Sequence, residues 1–149
     1  MKIEDEIKGK FRNEYHKGLI NLNFTMKHLS YDFFQTLKKY KLTEPQYNIL
    51  KVLRGFRKDG PASIGFLRDR MLDKNSDVSR IVDKLYDKGY INRKESSTDR
   101  RQKDIEITNK GLELLDKMGS CDKIEDSLLK NLTLEEVTEL NRLLNKIRD

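Results

Sequence analysis

The chain has 149 residues, a mass of 17.7 kDa and a net charge of +6, which is enough for one domain. Charged residues make up 38% of it and no apolar run approaches the roughly 18 residues of a membrane span, so we expect no membrane association. The single cysteine excludes an internal disulfide and a cysteine-based zinc site. Residues 1–6 are polar and acidic and lack the apolar core of a signal peptide, which predicts a cytoplasmic protein.

Charge is divided unevenly along the chain. Residues 112–149 carry six Lys and Arg against nine Asp and Glu, whereas the rest of the chain is basic. A basic surface favours polyanions such as nucleic acid or anionic lipid. The alternative interpretation is a lysine-rich helical surface that serves solubility.

Apolar residues spaced by threes and fours predict one long helix, or two collinear helices, over residues 3–40. A helix of this length cannot bury its whole stripe on its own chain, so we expect part of it to pack against a second subunit. At the other end, Thr133 and Glu136 form a predicted capping box and Leu132 and Val137 a hydrophobic staple for the last helix. That helix is expected to pack against the first helix or its symmetry mate.

The next helix is predicted to begin at a capping box formed by Thr43 and Gln46 and to end before the breaker at residues 59–61. Its predicted buried side consists of Tyr47, Leu50, Leu53 and Phe56.

Residues 63–89 read as helix, turn, helix. Ser63 caps a short helix whose predicted apolar positions include Met71 and Leu72, and residues 73–76 form a polar turn. In the following helix, the predicted buried face consists of Val78, Ile81, Val82 and Leu85. This helix is predicted to end at Gly89, because glycine suits a left-handed backbone conformation.

The periodicity then changes to alternation in residues 90–95 and 103–108, which predicts two short strands. Residues 96–102 join them as a polar loop with Arg100 and Arg101 at its tip. The sequence therefore predicts a mainly α fold in which a helix-turn-helix is followed by a small β-hairpin wing, a winged helix-turn-helix.

This arrangement suits duplex DNA, because a helix fits the major groove and a basic tip can enter the narrow minor groove. The outward face of the helix after the turn offers Ser79, Arg80 and Lys84 to bases and phosphates, and Asn75 and Ser76 lie near its N-terminus, where phosphate is favoured. Asp99 is expected to brace the wing by a bidentate bond to one of the two arginines.

Aspartates on the same helix face would repel phosphate. We expect Asp83 to pair with Arg80 and Asp87 with Lys84, or these carboxylates to face away from the DNA. An ordinary solvated helix face remains the plainer interpretation of this surface.

Five stretches of the chain resemble the MarR family of transcriptional regulators. They are residues 42–47, 77–85, 88–93, 99–101 and 107–111. The resemblance implies one MarR-type domain over residues 1–149, with a DNA-binding lobe at 42–111 (helix-turn-helix 63–89, wing 90–108) and a helical dimerisation region at 1–41 and 112–149.

The resemblance further implies a homodimer on a pseudo-palindromic operator, with Arg93 as a basic DNA contact at the strand end. Repression is the expected effect, and many members bind small aromatic ligands between the dimer helices and the DNA-binding lobe. The residues assigned to dimerisation are Phe11, Tyr15, Leu19, Val137, Leu140, Leu144 and Ile147.

No metal or cofactor site is predicted. His16 and His28 are twelve residues apart, hence roughly 120° apart around one helix, and Cys121 is expected late in the fifth helix as a passive residue. The chain lacks a glycine-rich phosphate loop and a nucleophile–base spacing, so an enzyme is not expected. The remaining alternative is a winged-helix module that binds an acidic protein.

Overall fold

The computed structural model describes the backbone of all 149 residues and every side chain except those of Ser120, Cys121 and Ile124. It confirms a mainly helical chain with one antiparallel two-stranded hairpin. The elements in chain order are α1 (Ile3–Ile7), α2 (Glu14–Lys39), α3 (Glu44–Phe56), a 3-10 turn (Arg57–Asp59), α4 (Ile64–Asp69), α5 (Val78–Asp87), β1 (Ile91–Glu95), β2 (Lys103–Ile107), α6 (Asn109–Lys117), α7 (Gly119–Leu128) and α8 (Leu134–Arg148).

One apolar core holds the middle of the chain together. Its buried side chains run from Leu37, at the end of α2, to Met118, after α6. Ile49, Leu50 and Leu85 are fully enclosed at its centre. By contrast, α8 has no buried residue and most of α2 lies outside this cluster.

The predicted helix over residues 3–40 is wrong at its start. Lys8 adopts a left-handed φ of 51° and ends α1, and the Asn13 side chain accepts from the His16 amide at 2.9 Å to begin α2. Lys17 forms an ion pair with Glu4, which lowers the pKa of that carboxyl. Residues 13 apart in collinear helices would lie roughly 20 Å apart, so α1 folds back against α2.

The predicted helix starts at Thr43, Ser63 and Thr133 are confirmed. Both reciprocal bonds of each capping box are present, with Thr43 paired to Gln46 and Thr133 to Glu136. Ser63 Oγ accepts from the Phe66 amide at 3.0 Å.

Three details of the predicted packing are wrong. Phe56 is exposed because it lies at the last residue of α3, and Leu72 is 79% exposed because α4 has already ended at Asp69. The fifth helix of the prediction is divided, so that α6 ends at Lys117 and Cys121 belongs to α7. The side chain of Cys121 lies outside the described residues.

An ion pair ties α3 to α7. Lys51 Nζ lies 2.5 Å from Asp122 Oδ1, and Arg54 approaches the other carboxylate oxygen at 3.9 Å. The hydrogen bond from Lys51 lowers the pKa of Asp122. The helix-turn-helix is thus linked through α3 to the helices that follow it.

Candidate nucleic-acid interface

The turn between α4 and α5 is held by local hydrogen bonds. Asp73 accepts from the amide of Asn75 through its side chain at 2.9 Å and from the amide of Ser76 through its carbonyl at 3.2 Å. The amide of Leu72 donates to Asn48 Oδ1 at 2.9 Å, which fastens the turn to α3. These bonds set the direction in which α5 leaves the turn.

The outward face of α5 carries the predicted groove residues. Val78, Val82 and Leu85 are buried against the core, as predicted, and Ile81 is half-buried. The helical period therefore turns the opposite side to solvent. Gly89 ends the helix region with a φ of 79°, the left-handed position predicted for it. The exposed residues on the outward face include Ser79, Arg80, Asp83, Lys84 and Asp87.

The N-terminus of α5 differs from the expectation. The cap is Asp77, whose carboxylate accepts from the Arg80 amide at 3.2 Å. Ser76 and Asn75 lie one and two residues before the cap. Asn75 is exposed, whereas Ser76 Oγ is buried and has no hydrogen-bond partner among the described atoms. A carboxylate therefore already occupies the helix end at which we expected a phosphate.

The pairing expected within α5 is also wrong for Asp83. Its carboxylate accepts from Arg93 of β1, and the Arg93 guanidinium lies over the Tyr86 ring at 4.5 Å from the ring centroid. The arginine reaches α5 because its strand packs beside that helix. This contact joins residues distant in the sequence, so the i,i+3 and i,i+4 spacings within α5 could not predict it.

The wing is a regular hairpin anchored at its base. Ile91 pairs with Ile107 and Glu95 with Lys103, and the amide of Ser96 donates to the Gln102 carbonyl at 3.0 Å. Ala62 and Ile105 exchange two backbone hydrogen bonds of 2.9 Å, which attach the hairpin to the segment before α4.

The tip of the wing exposes both arginines. Arg100 and Arg101 are exposed, and Asp99 Oδ1 accepts from the Arg101 backbone amide at 2.9 Å. The expected bidentate bond from Asp99 to a guanidinium is not among the ion pairs of the described side chains. Asp99 closes the turn through the backbone and leaves both guanidinium groups available.

A cleft of about 380 Å³ lies between α4, α5 and the wing. Three of the predicted DNA-binding residues line it, namely Ser79, Arg93 and Arg101. Lys103 lines it too, and this residue was not among the predicted DNA-binding residues although it lies two positions after the arginine pair. Arg80, Lys84 and Arg100 lie outside its lining.

The residues assigned to dimerisation form no buried cluster within the chain. Tyr15 is 91% exposed and Ile147 70% exposed, and Leu19 is also exposed. Phe11 is half-buried against His16, and the α8 residues Val137, Leu140 and Leu144 are half-buried.

The part of the chain with described side chains was also compared with the geometry of a metal site and of a membrane span. No group of three or more His, Cys, Asp or Glu residues there is arranged to hold a metal. No helix in that part is long and apolar enough to cross a membrane. A cavity of about 470 Å³ lies between the end of α3, the segment before α4, Phe66 and β2.

Comparison with known proteins identifies the same arrangement elsewhere. Residues 42–103 match the model of the MarR family. The chain is 28% identical to the HTH-type transcriptional regulator MgrA of Staphylococcus aureus over 114 residues, which cover 76% of this chain and 74% of MgrA.

Two solved structures are also similar. The S. aureus MepR–DNA complex matches with a TM-score of 0.72 and 25% identity over 93% of this chain and 97% of MepR. The organohalide-sensing regulator RdhR-CbdbA1625, solved with 2,4-dichlorophenol bound, has a TM-score of 0.77 and 19% identity over 95% of this chain and 86% of its own.

Proposed function

Because this chain belongs to the MarR family of winged-helix transcriptional regulators, we propose that it regulates transcription as a homodimer that binds a specific DNA duplex. It acts in the cytoplasm and by binding rather than by catalysis. The observation that carries the proposal is one continuous surface on which the outward face of α5 adjoins a wing with two exposed arginines.

Each part of this surface has a distinct task. In the major groove α5 presents Arg80, which can bind guanine through two hydrogen bonds, together with Ser79 and Lys84. Arg100 and Arg101 enter the minor groove, where the negative potential is concentrated. Asn75 lies beside the phosphates near the start of α5. Ser76 is half-buried and supports the turn through its backbone amide, which donates to the Asp73 carbonyl, and the Asp77 carboxylate leaves less room for a phosphate than the sequence suggested.

Dimerisation covers the apolar side chains of α2 and α8. Tyr15 and Leu19 on α2 and Ile147 on α8 expose apolar surface that the single chain leaves uncovered. Apolar surface of this kind is buried favourably at about 25 cal/mol per Å². In a two-fold dimer the two α5 helices reach successive major grooves, roughly 34 Å apart along the duplex.

We extend the proposal to an effector. RdhR-CbdbA1625 binds 2,4-dichlorophenol, and a small aromatic ligand of that class would release this chain from its operator and so relieve repression.

Selection of random duplexes with the purified protein tests DNA binding and identifies the operator in one experiment. Arg80→Ala should then weaken operator binding by about 1–3 kcal/mol and relax the sequence preference. Arg100→Ala should weaken all duplexes alike and flatten the salt dependence. Lys130→Ala is the matched control, since Lys130 is exposed between α7 and α8, outside α5 and the wing. Failure of the wild-type protein to enrich any duplex would overturn the proposal.

A second experiment tests the dimer. A double substitution of Leu140→Asp and Leu144→Asp should yield monomers by analytical ultracentrifugation and abolish operator binding. Thr138→Asp with Asn145→Asp adds the same two charges to the opposite face of α8 and should leave the dimer intact. A tight dimer in the leucine variant would place the interface elsewhere.

A further inference from the structure

We propose that Arg93 is a positioning residue for DNA binding: it neutralises Asp83 on the groove-facing side of α5 and holds the wing against that helix. Phosphate contact is left to the other cations of the interface. This inference rests on the proposed DNA-binding function and gives a structural role to a residue that the family resemblance treats as a DNA contact.

Arg93 makes two kinds of contact through its guanidinium: a charged hydrogen bond and a cation–π contact. Its Nη1 donates to Asp83 Oδ1, and its planar group lies over the Tyr86 ring at a centroid distance of 4.5 Å. Asp83 and Tyr86 are three residues apart on α5, hence neighbours on one face. Only 27% of the Arg93 side chain is exposed, so one side chain spans a strand and a helix and has little freedom to turn elsewhere.

The charge of Asp83 explains why such a partner is needed. Asp83 is exposed on the same face as Arg80 and Lys84, which are to meet the polyanion. An uncompensated carboxylate there would repel phosphates, and like charges brought together at an interface are costly. Pairing with Arg93 neutralises Asp83, so that among the exposed charges of this face Arg80 and Lys84 are opposed only by Asp87.

The position of Arg93 in the wing explains how it can hold the wing against α5. A two-stranded hairpin alone is marginally stable in water and needs attachment to a core. Arg93 pairs in register with Ile105, which is buried and bonded to Ala62. The Arg93–Asp83 pair adds a direct fastening to α5, so that the wing tip and α5 keep a fixed relation before DNA arrives, which reduces the ordering cost of binding.

The test is a double-mutant cycle on duplex affinity, measured by fluorescence anisotropy at several salt concentrations. Arg93→Gln should weaken operator binding about five- to tenfold, because it leaves Asp83 unpaired beside the DNA. Asp83→Asn in the same chain should restore most of the lost affinity, with the salt slope of the wild-type protein. Arg93→Lys keeps the charge without the planar group and should fall between Arg93→Gln and the wild type.

If Arg93 instead contacted a DNA phosphate directly, the affinities of the variants would follow a different pattern. Asp83→Asn would then give no rescue, and both the single Arg93→Gln variant and the double variant would show a salt slope smaller by about one ion, which would overturn the inference. If the wild-type protein binds no duplex, the proposed function fails separately. In that case the stabilities of the same variants are measured by thermal unfolding. Additive stability changes for the substitutions at residues 83 and 93 would overturn the pairing itself.

Discussion

Gly111 lies where α6 meets the base of the wing, and the structure leaves no space there for a side chain. A Cβ built on Gly111 would lie 2.4 Å from the Tyr90 carbonyl oxygen and 2.7 Å from Cγ1 of Ile107. The Tyr90 oxygen cannot retreat freely, because it accepts from the Thr108 amide at 3.0 Å. We therefore predict that Gly111→Ala displaces the first turn of α6 from the hairpin.

The expected cost combines three effects. Overpacking a filled site costs about 1–3 kcal/mol. The Gly111 amide donates to Thr108 Oγ1 at 3.1 Å, and losing this cap costs about 1 kcal/mol more. The greater helix propensity of alanine returns about 1 kcal/mol at most. Gly111→Ala should therefore destabilise the chain by about 1–3 kcal/mol, which lowers Tm by about 2–4 °C for each kcal/mol.

The assay is thermal unfolding followed by circular dichroism at one fixed protein concentration, because dimerisation makes Tm depend on concentration. Gly55→Ala is the matched control, since Gly55 lies in α3 where an added Cβ would meet no atom within 4 Å, and it should be neutral or stabilising. A Gly111→Ala protein as stable as the wild type would show that α6 does not approach Tyr90 this closely.

Three further predictions concern a cap, an ion pair and the wing. Thr133→Ala should cost about 1 kcal/mol of stability and reduce helicity, because it removes the capping box of α8; unchanged urea and circular dichroism curves would contradict this. Lys51 lowers the pKa of Asp122, so their pair stabilises the fold above the ordinary Asp pKa and this stability is lost as pH falls through the lowered folded value. Lys51→Met should therefore reduce the loss of unfolding free energy on acidification by at most about 1 kcal/mol, since both groups are partly exposed. Urea melts at several pH values measure this, and a variant whose unfolding free energy depends on pH as in the wild type would refute the prediction. Asp99→Ala removes the acceptor of the Arg101 amide and should weaken binding to all duplexes in anisotropy titrations, whereas a loss confined to the operator would argue against a wing role.

Local signals account for what the sequence predicted correctly. A capping box such as Thr43 with Gln46 involves residues three apart, so its bonds form whenever the helix does. The inward face of α5 followed from the spacing of Val78, Val82 and Leu85, and the alternation on either side of residues 96–102 predicted the hairpin. These elements are sufficient to recognise a winged helix.

Two errors arose where separate elements of the chain meet, and a third arose at the local boundary between the turn and α5. The fold-back of α1 depends on Lys8 in a left-handed conformation and on an ion pair between Glu4 and Lys17, which helical periodicity does not register. The partner of Asp83 is ten residues away on a strand, beyond the i,i+3 and i,i+4 spacings within α5 on which the predicted pairing rested. Asp77 became the cap of α5 because the turn ends one residue later than expected.

The division of charge along the chain bears on how a duplex can approach. The face of α8 carries exposed Glu135, Glu136 and Glu139, within a segment whose acidic residues outnumber its basic ones. Phosphates are repelled from this segment and attracted to the basic lobe, and the field acts before any contact forms. We therefore expect electrostatic steering to favour encounters through α5 and the wing, and the salt dependence of binding to arise almost entirely from cations within residues 1–111.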